Sequence, residues 1–158
     1  MQVQILSSAP SFILNERNTM ERFTIDNDVV IDNNTGLIWQ KNHAENLAWD
    51  EAIEYAKNLK CGVFIDWRLP TVEELGTIID VTKCNPASDF PDVPQKAFWS
   101  CTPANICGHE YAKFVGFGDG FTSDGFKGYT CYVRCVSSGV REKLTVTKKQ
   151  KKTKPLTV

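Results

Sequence analysis

The sequence predicts an α+β domain, two helices packed on an antiparallel β-sheet with long loops, and three observations carry that reading. Apolar residues at 49, 52, 53, 56 and 59 repeat at the spacing of one helical face. A second helix starts after Pro70, and most of the remaining half consists of short β-branched and aromatic runs divided by turn residues. At 158 residues the chain is one domain's worth, and 42% hydrophobic, 11% aromatic and 23% charged residues exclude collagenous or wholly disordered chains.

Residues 1–21 hold only a brief apolar patch, Phe12, Ile13 and Leu14, and read as an N-terminal arm or edge strand. Residues 22–40, RFTIDNDVVIDNNTGLIWQ, form two apolar, β-branched runs separated by Asn33, Asn34, Thr35 and Gly36, which tolerate turn dihedrals, so they predict a β-hairpin. The first helix spans about 48–60, with Gly62 where a C-terminal cap belongs. The second opens with Thr71 and Glu74 in capping-box spacing, turns Val72, Leu75, Ile78 and Ile79 inward, and ends near Thr82. Residues 84–96 contain three prolines and no periodicity, which describes a long surface loop. Four strands follow in AFWSCT, YAKFVGF, FTSDGF and YTCYVRCV, with Asp119-Gly120 as a hairpin turn and Asp124-Gly125 as a second turn. No repeat occurs at a fixed period.

The net charge of -1 conceals a segregation. Residues 141–158 carry seven Lys or Arg against Glu142, so the other 140 residues carry 11 basic against 18 acidic side chains. The body, 22–140, is acidic, and the tail, 141–158, reads as a disordered basic extension whose lysines, Lys148, Lys149, Lys151, Lys152 and Lys154 among them, suit phosphate, sulfated glycan or a membrane surface, or serve solubility alone. The tail has no aromatic residue and no helical basic face, so specific nucleic-acid binding is not expected. No apolar run approaches the roughly 18 to 20 residues of a membrane span. The first 14 residues lack the basic start of a secretory signal.

Six cysteines, Cys61, Cys84, Cys101, Cys107, Cys131 and Cys135, are more than a cytosolic domain of this size usually holds and favour an extracellular or cell-surface setting, against the missing signal. They contain no CxxC pair and are accompanied only by His43 and His109, which argues against zinc. Disulfides and free buried thiols both remain open, and Cys131 and Cys135, four apart in a predicted strand, face the same side.

Several blocks occur together: TGLIWQ at 35–40, WDEAIEYA at 49–56, WRLPTVEEL at 67–75, NPASDFPDVP at 85–94, FWSCT at 98–102, and FVGFGDG with YVRCV at 114–120 and 132–136. In this order they resemble the bacterial domain at the C-terminus of the Legionella collagen-like adhesin, over about residues 22–139. The resemblance implies a C-type-lectin-like fold, shared with formylglycine-generating enzymes and with variable proteins of diversity-generating retroelements. In the namesake adhesin the domain forms trimers and binds sulfated glycosaminoglycans, so a homotrimer is implied here. A helix-to-last-strand disulfide typical of the fold would be Cys61 to Cys135. Cys101 is an addition to a block that usually reads WSST, and a bridge to Cys107 would close a short loop. The resemblance also puts Trp39, Trp99 and Arg134 in the framework. Trp67, Arg68 and Pro70 read as scaffold too: Trp67 under the sheet, Arg68 against a carboxylate or carbonyls, Pro70 setting the second helix.

The calcium triplets of sugar-binding lectins, Glu-Pro-Asn or Gln-Pro-Asp, are absent, and Asp89, Asp92, Asp119 and Asp124 have no recognisable ligand spacing. No cofactor is therefore expected, with calcium kept open. No nucleophile and base stand in a catalytic signature, so the chain reads as non-enzymatic. Ligand contacts are expected on the loops at 85–94, 103–111 and 119–127, with Asp89, Asp92, Phe117, Asp119, Phe121, Asp124, Phe126 and Lys127 as candidates. The expectation is an extracellular adhesin-type module that binds glycans, sulfated glycosaminoglycans included. The alternative is a protein-interaction or structural subunit of a phage, pilus or filament tip.

Overall fold

The computed structural model describes residues 21–104, 106 and 109–142. The predicted arm, apart from Glu21, and the tail from Lys143 onward lie outside them, as does Cys107. In chain order the elements are β1 (Phe23–Asp26), β2 (Val29–Asp32), β3 (Ile38–Gln40), β4 (Ala44–Leu47), α1 (Trp49–Asn58), α2 (Val72–Thr77), β5 (Ala97–Pro103), β6 (Tyr111–Gly116), β7 (Thr122–Phe126), β8 (Cys131–Val133) and β9 (Val136–Ser137). They form an α+β domain with two sheets, one in the order β1-β2-β3-β9 and one in the order β4-β8-β5-β6-β7. Every pairing is antiparallel except β5 with β8.

The first predicted hairpin is a three-stranded meander. Asn27 takes φ +52°, so the run Phe23 to Asp32 folds back at Asn27-Asp28 before reaching the predicted turn. That second turn forms as expected around Gly36 at φ +74°, with the Gly36 amide donating to the Asp32 carbonyl at 2.8 Å. Helix α1 starts where periodicity places it, with Glu51 reaching back to the Ala48 amide at 2.8 Å. Gly62, at φ +59°, serves the turn between Cys61 and Phe64 beyond the helix, while Leu59 is the C-cap. Helix α2 is shorter than expected. It has its full capping box, the Glu74 amide donating to Thr71 Oγ1 at 3.2 Å and the Thr71 amide to Glu74 Oε2 at 2.8 Å. Leu75 and Ile78 are buried and Val72 and Ile79 pack beside them.

Two cores lie on opposite faces of the sheets, and strand alternation assigns residues to them. Val29, Ile38, Trp99, Val133 and Cys135 join Ala52 and Ala56 of α1 and Trp67 in one core. Their chain neighbours Val30, Trp39, Phe98 and Val136 join Leu75 and Ile78 of α2, Phe90 and Phe117 in the other. The predicted single strand YTCYVRCV is two strands in two sheets, yet its alternation runs unbroken. Cys131, Val133 and Cys135 face the α1 core, and Tyr132 and Val136 the α2 core.

Arg134, 1% exposed, points with Tyr132 and Val136. Its guanidinium lies 4.4 Å from the Phe90 ring centre and 5.8 Å from that of Phe98, and Nη1 donates to the Gln40 and Lys41 carbonyls at 3.1 and 2.6 Å. The two aromatic rings account for Nε and Nη2, which have no hydrogen-bond partner. Burial lowers the Arg134 pKa to about 10, against the attraction of Asp92, and it stays charged at neutral pH. Arg68 meets Glu74 through two hydrogen bonds of 2.7 Å, while its backbone exchanges hydrogen bonds with Val136 at 3.0 and 2.9 Å.

Asp124-Gly125 is not a turn. Both residues lie inside β7, where a Cβ on Gly125 would meet Trp99 Cη2 at 2.9 Å and Phe114 Cδ1 at 3.1 Å. Gly125 is there because Trp99 and Phe114 cross beneath the strand. Gly125→Ala is therefore expected to lower the unfolding free energy by about 1–3 kcal/mol in urea denaturation. Gly118→Ala, at a site with no atom within 4 Å of the new carbon, is expected to stay within about 0.5 kcal/mol.

Three carboxylates give the fold an acid limit. Desolvation opposes ionisation of Asp32 and Asp66, but Arg22 and the Asn34 amide for Asp32, and Ser137 with the Ser138 amide for Asp66, outweigh it. The Arg68 hydrogen bonds hold Glu74 below its usual range. These folded-state values are depressed, so their stabilisation is present above the ordinary values of 3.8 for Asp and 4.5 for Glu and is lost as pH falls through the lowered ones. Urea midpoints should fall steeply below that range. Glu74→Gln, which keeps a side-chain oxygen to accept from the Thr71 amide, should be less stable at neutral pH and show a shallower fall.

Candidate functional site

The structure divides the predicted ligand residues between the two ends of the β6–β7 hairpin. Five strand residues at about 3.3 Å each put these ends roughly 17 Å apart. At the tight-turn end, the proline-rich loop is stapled to the hairpin. The Asn85 and Ala87 amides donate to the Gly118 and Phe117 carbonyls at 2.9 and 2.8 Å, and the Phe117 amide to the Lys96 carbonyl at 2.9 Å. Phe117 is withdrawn from the predicted contact surface: it is 1% exposed, with its ring edge-on to Phe98 at 5.1 Å. Asp119 accepts from the Phe121 amide at 3.0 Å, as a turn aspartate does. Asp89 pairs with Lys83. Asp92 is exposed at φ +52°, and Phe121, 74% exposed, offers apolar surface here. Asp124 is in mid-strand, bonded to Lys113 at 2.9 Å. Three of the four aspartates thus have separate engagements, and among the described residues no group of three or more His, Cys, Asp or Glu could hold a metal ion.

The other end holds an open cleft of about 390 Å³ lined by Asp50, His109, Glu110, Phe126, Lys127 and Gly128. Register builds it. Tyr111 pairs with Phe126 across the strands, the Lys127 amide donates to the Glu110 carbonyl at 2.8 Å, and the Trp49 amide donates to the Lys127 carbonyl at 3.0 Å. The cleft therefore joins the hairpin end to the N-terminus of α1. Phe126 is the ring that lines it, and it stands edge-on to Tyr111 at 5.8 Å and to Tyr129 at 5.7 Å. Tyr129 is 69% exposed, with an apolar face and a hydroxyl open to a ligand.

Lys127 is turned away from this task. Its ammonium lies 4.0 Å from the Trp49 ring centre, and Trp49 Nε1 donates to the Ser100 carbonyl at 2.8 Å, fixing the ring. Asp50 and Glu110 are exposed carboxylates beside the rings. The local chemistry is aromatic and acceptor-rich, with two carboxylates against the one ammonium of Lys127. Asp50, Glu110, Trp49 and Tyr129 were not legible as partners, because only the Tyr111–Phe126 register and the docking of α1 bring them together. The expected segment 103–111 does contribute Tyr111, Glu110 and His109.

The five described cysteines are free thiols, which corrects the disulfide reading for them. Cys61 Sγ donates to the Asp28 carbonyl at 3.4 Å and is not bonded to Cys135, which lies in the α1 core. Cys84 is exposed, and Cys101 and Cys131 pack at the edge of that core. The suggested Cys101–Cys107 bridge falls partly outside the described residues. Burial raises the thiol pKa of Cys61 and Cys101, that of Cys131 to about 11, and that of Cys135 to about 12 with a further contribution from Cys61.

The geometry defines a small α+β domain with an aromatic cleft where a hairpin end meets a helix start. The chain belongs to the Lcl C-terminal domain family, whose model matches residues 28–137. No curated protein matches it. No helix among the described residues is long and apolar enough to cross a membrane.

In the native protein, iodoacetamide should modify Cys84 first. Cys131 and Cys135 should react only on denaturation, since both exposure and thiolate fraction are low. Peptide mass mapping over time reads this order, and early labelling of Cys135 would show that its core is open.

Proposed function

We propose that this domain is a non-enzymatic, extracellular or cell-surface binding module of adhesin type on a C-type-lectin-like scaffold, and that the Phe126 cleft holds an uncharged glycan. The observation that carries the reading is the ring of Phe126 lining the cleft beside Asp50 and Glu110, with Tyr111 and Tyr129 packed edge-on against it. Sugars offer an apolar face for stacking and hydroxyl donors for carboxylates, and the tyrosine hydroxyls add the polar handle that phenylalanine lacks. The two carboxylates disfavour sulfated chains here, so any sulfated glycosaminoglycan would depend on the lysines of the tail. Against catalysis, burial moves four thiols away from the thiolate form that a nucleophile needs.

The second reading, a protein-interaction or structural subunit, is favoured by one observation, the exposed Phe121 at the far end of the same edge strand.

An array of neutral, sialylated and sulfated glycans, probed with calcium and with chelator, separates these readings. Neutral-glycan binding should appear in both conditions and weaken about tenfold in Tyr129→Ala, the worth of one aromatic contact. It should persist when Lys148, Lys149, Lys151, Lys152 and Lys154 are all replaced by Gln. Binding confined to sulfated glycans and abolished by those replacements would move the site to the tail. The absence of any glycan binding, with a protein captured in a Phe121-dependent manner, would support the second reading.

A further inference from the structure

A buried cation and an exposed carboxylate attract each other in this fold without touching. Arg134 Nη1 donates to the Gln40 and Lys41 carbonyls at 3.1 and 2.6 Å. Its other two nitrogens, Nε and Nη2, share one edge of the guanidinium, the edge that grips a carboxylate with two parallel N–H bonds. Neither has a hydrogen-bond acceptor, although Arg134 is 1% exposed. The Phe90 and Phe98 rings, centred 4.4 and 5.8 Å from the guanidinium carbon, attract its charge but hold no lone pair for an N–H bond to meet. A buried donor left in this way is costly, and more so when it belongs to a charged group.

The carboxylate is in the proline-rich loop. Phe90 and Val93 of that loop are buried in the α2 core, with the Phe90 ring against Arg134, and Asp92 stands between them in the chain, exposed and at φ +52°. Aspartate tolerates this left-handed backbone, as few other residues do. Burial lowers the Arg134 pKa and the charge of Asp92 opposes the shift, so the two groups are within electrostatic reach. They form no ion pair, and the ion pairs among the described residues do not include Asp92. Polar groups that interact across more than contact distance are joined by ordered water. Such a water needs about two to four polar partners, and Nε, Nη2 and an Asp92 oxygen offer that number.

We propose that Asp92 is the counter-ion of Arg134, and that one ordered water joins its carboxylate to the Nε–Nη2 edge. The match that carries this is a two-donor edge with no acceptor and a carboxylate with no ion pair, brought near each other by the burial of Phe90 and Val93. Asp92 is then a positioning residue. It fastens the proline-rich loop to the run that passes from one sheet to the other, a task distinct from the ligand contact expected of it.

The full chain and its Asp92→Asn and Asp92→Gly variants test this. Asparagine and glycine both accept φ +52°, so a residue needed only for its backbone would leave all three proteins similar in stability. The water-bridged pair instead makes the unfolding equilibrium constant of each variant about tenfold larger, the effect of losing a hydrogen-bonded charge. In the parent, NMR should show the Arg134 Nε proton cross-relaxing with a long-lived water. That signal should weaken in Asp92→Gly while β5 and β6 amide shifts stay the same and report an intact core. Either variant within about twofold of the parent, or a parent Nε proton with no long-lived water beside it, would overturn the proposal. So would a crystal structure of the full chain in which an Asp92 oxygen contacts the guanidinium directly.

Discussion

Everything else in the fold hangs on the extended run from Cys131 to Ser137, which belongs to both sheets. β8 pairs with β4 and β5, β9 pairs with β3 and with the backbone of Arg68, and the two residues between them carry the chain from one sheet to the other. The crossing works because side-chain alternation is never lost, so each core receives every second residue. Arg134 is where the crossing is hardest. A guanidinium without a carboxylate partner is costly inside a protein, and here two carbonyls and two phenyl faces stand in for one. The carbonyls belong to Gln40 and Lys41 at the end of β3, and Phe90 belongs to the proline-rich loop. One buried cation therefore ties the meander, the loop and the strand that joins the sheets.

That loop is long, but it is part of the core rather than a free surface. Ala87, Phe90 and Val93 are buried, and backbone hydrogen bonds fasten the loop to the 117–120 turn. A cleft is left at the opposite end of the hairpin, where β6 and β7 run on toward α1. The platform rings are held by cross-strand register, and Trp49 is held by both its backbone and its indole nitrogen. Aromatic contact is most useful to a ligand when rings are already ordered, because little conformational entropy remains to be lost.

Local periodicity was enough to read α1, the start of α2, the strand positions in the second half and the turn at Asp119-Gly120. Each is decided by neighbours within a few residues. The misreadings share one cause, the dependence of local structure on distant partners. Asp124-Gly125 has turn composition, but Gly125 is required by Trp99 and Phe114 from other strands. Phe117 looks like a loop aromatic, yet the loop stapled across it closes it into the α2 core. The separation of Phe126 and Lys127 from Asp119 and Phe121 needs the β6–β7 register, and Tyr129 joins Phe126 only because the chain curls back after β7. The cysteines are abundant enough to suggest bridges, whereas Cys131 and Cys135 serve as apolar packing.

Charge is also segregated in space among the described residues. The Phe126 cleft contains Asp50 at the start of α1, whereas Lys57 and Lys60 line a groove with Glu142 at the other end of that helix. Ten helical residues separate these ends by about 15 Å, nearly twice the screening length of about 8 Å at physiological salt. Lys57 and Lys60 are therefore largely screened from the cleft, whose own charges are Asp50, Glu110 and Lys127. The two ends of α1 thus present openings of opposite charge. The slight net charge of the whole chain describes neither.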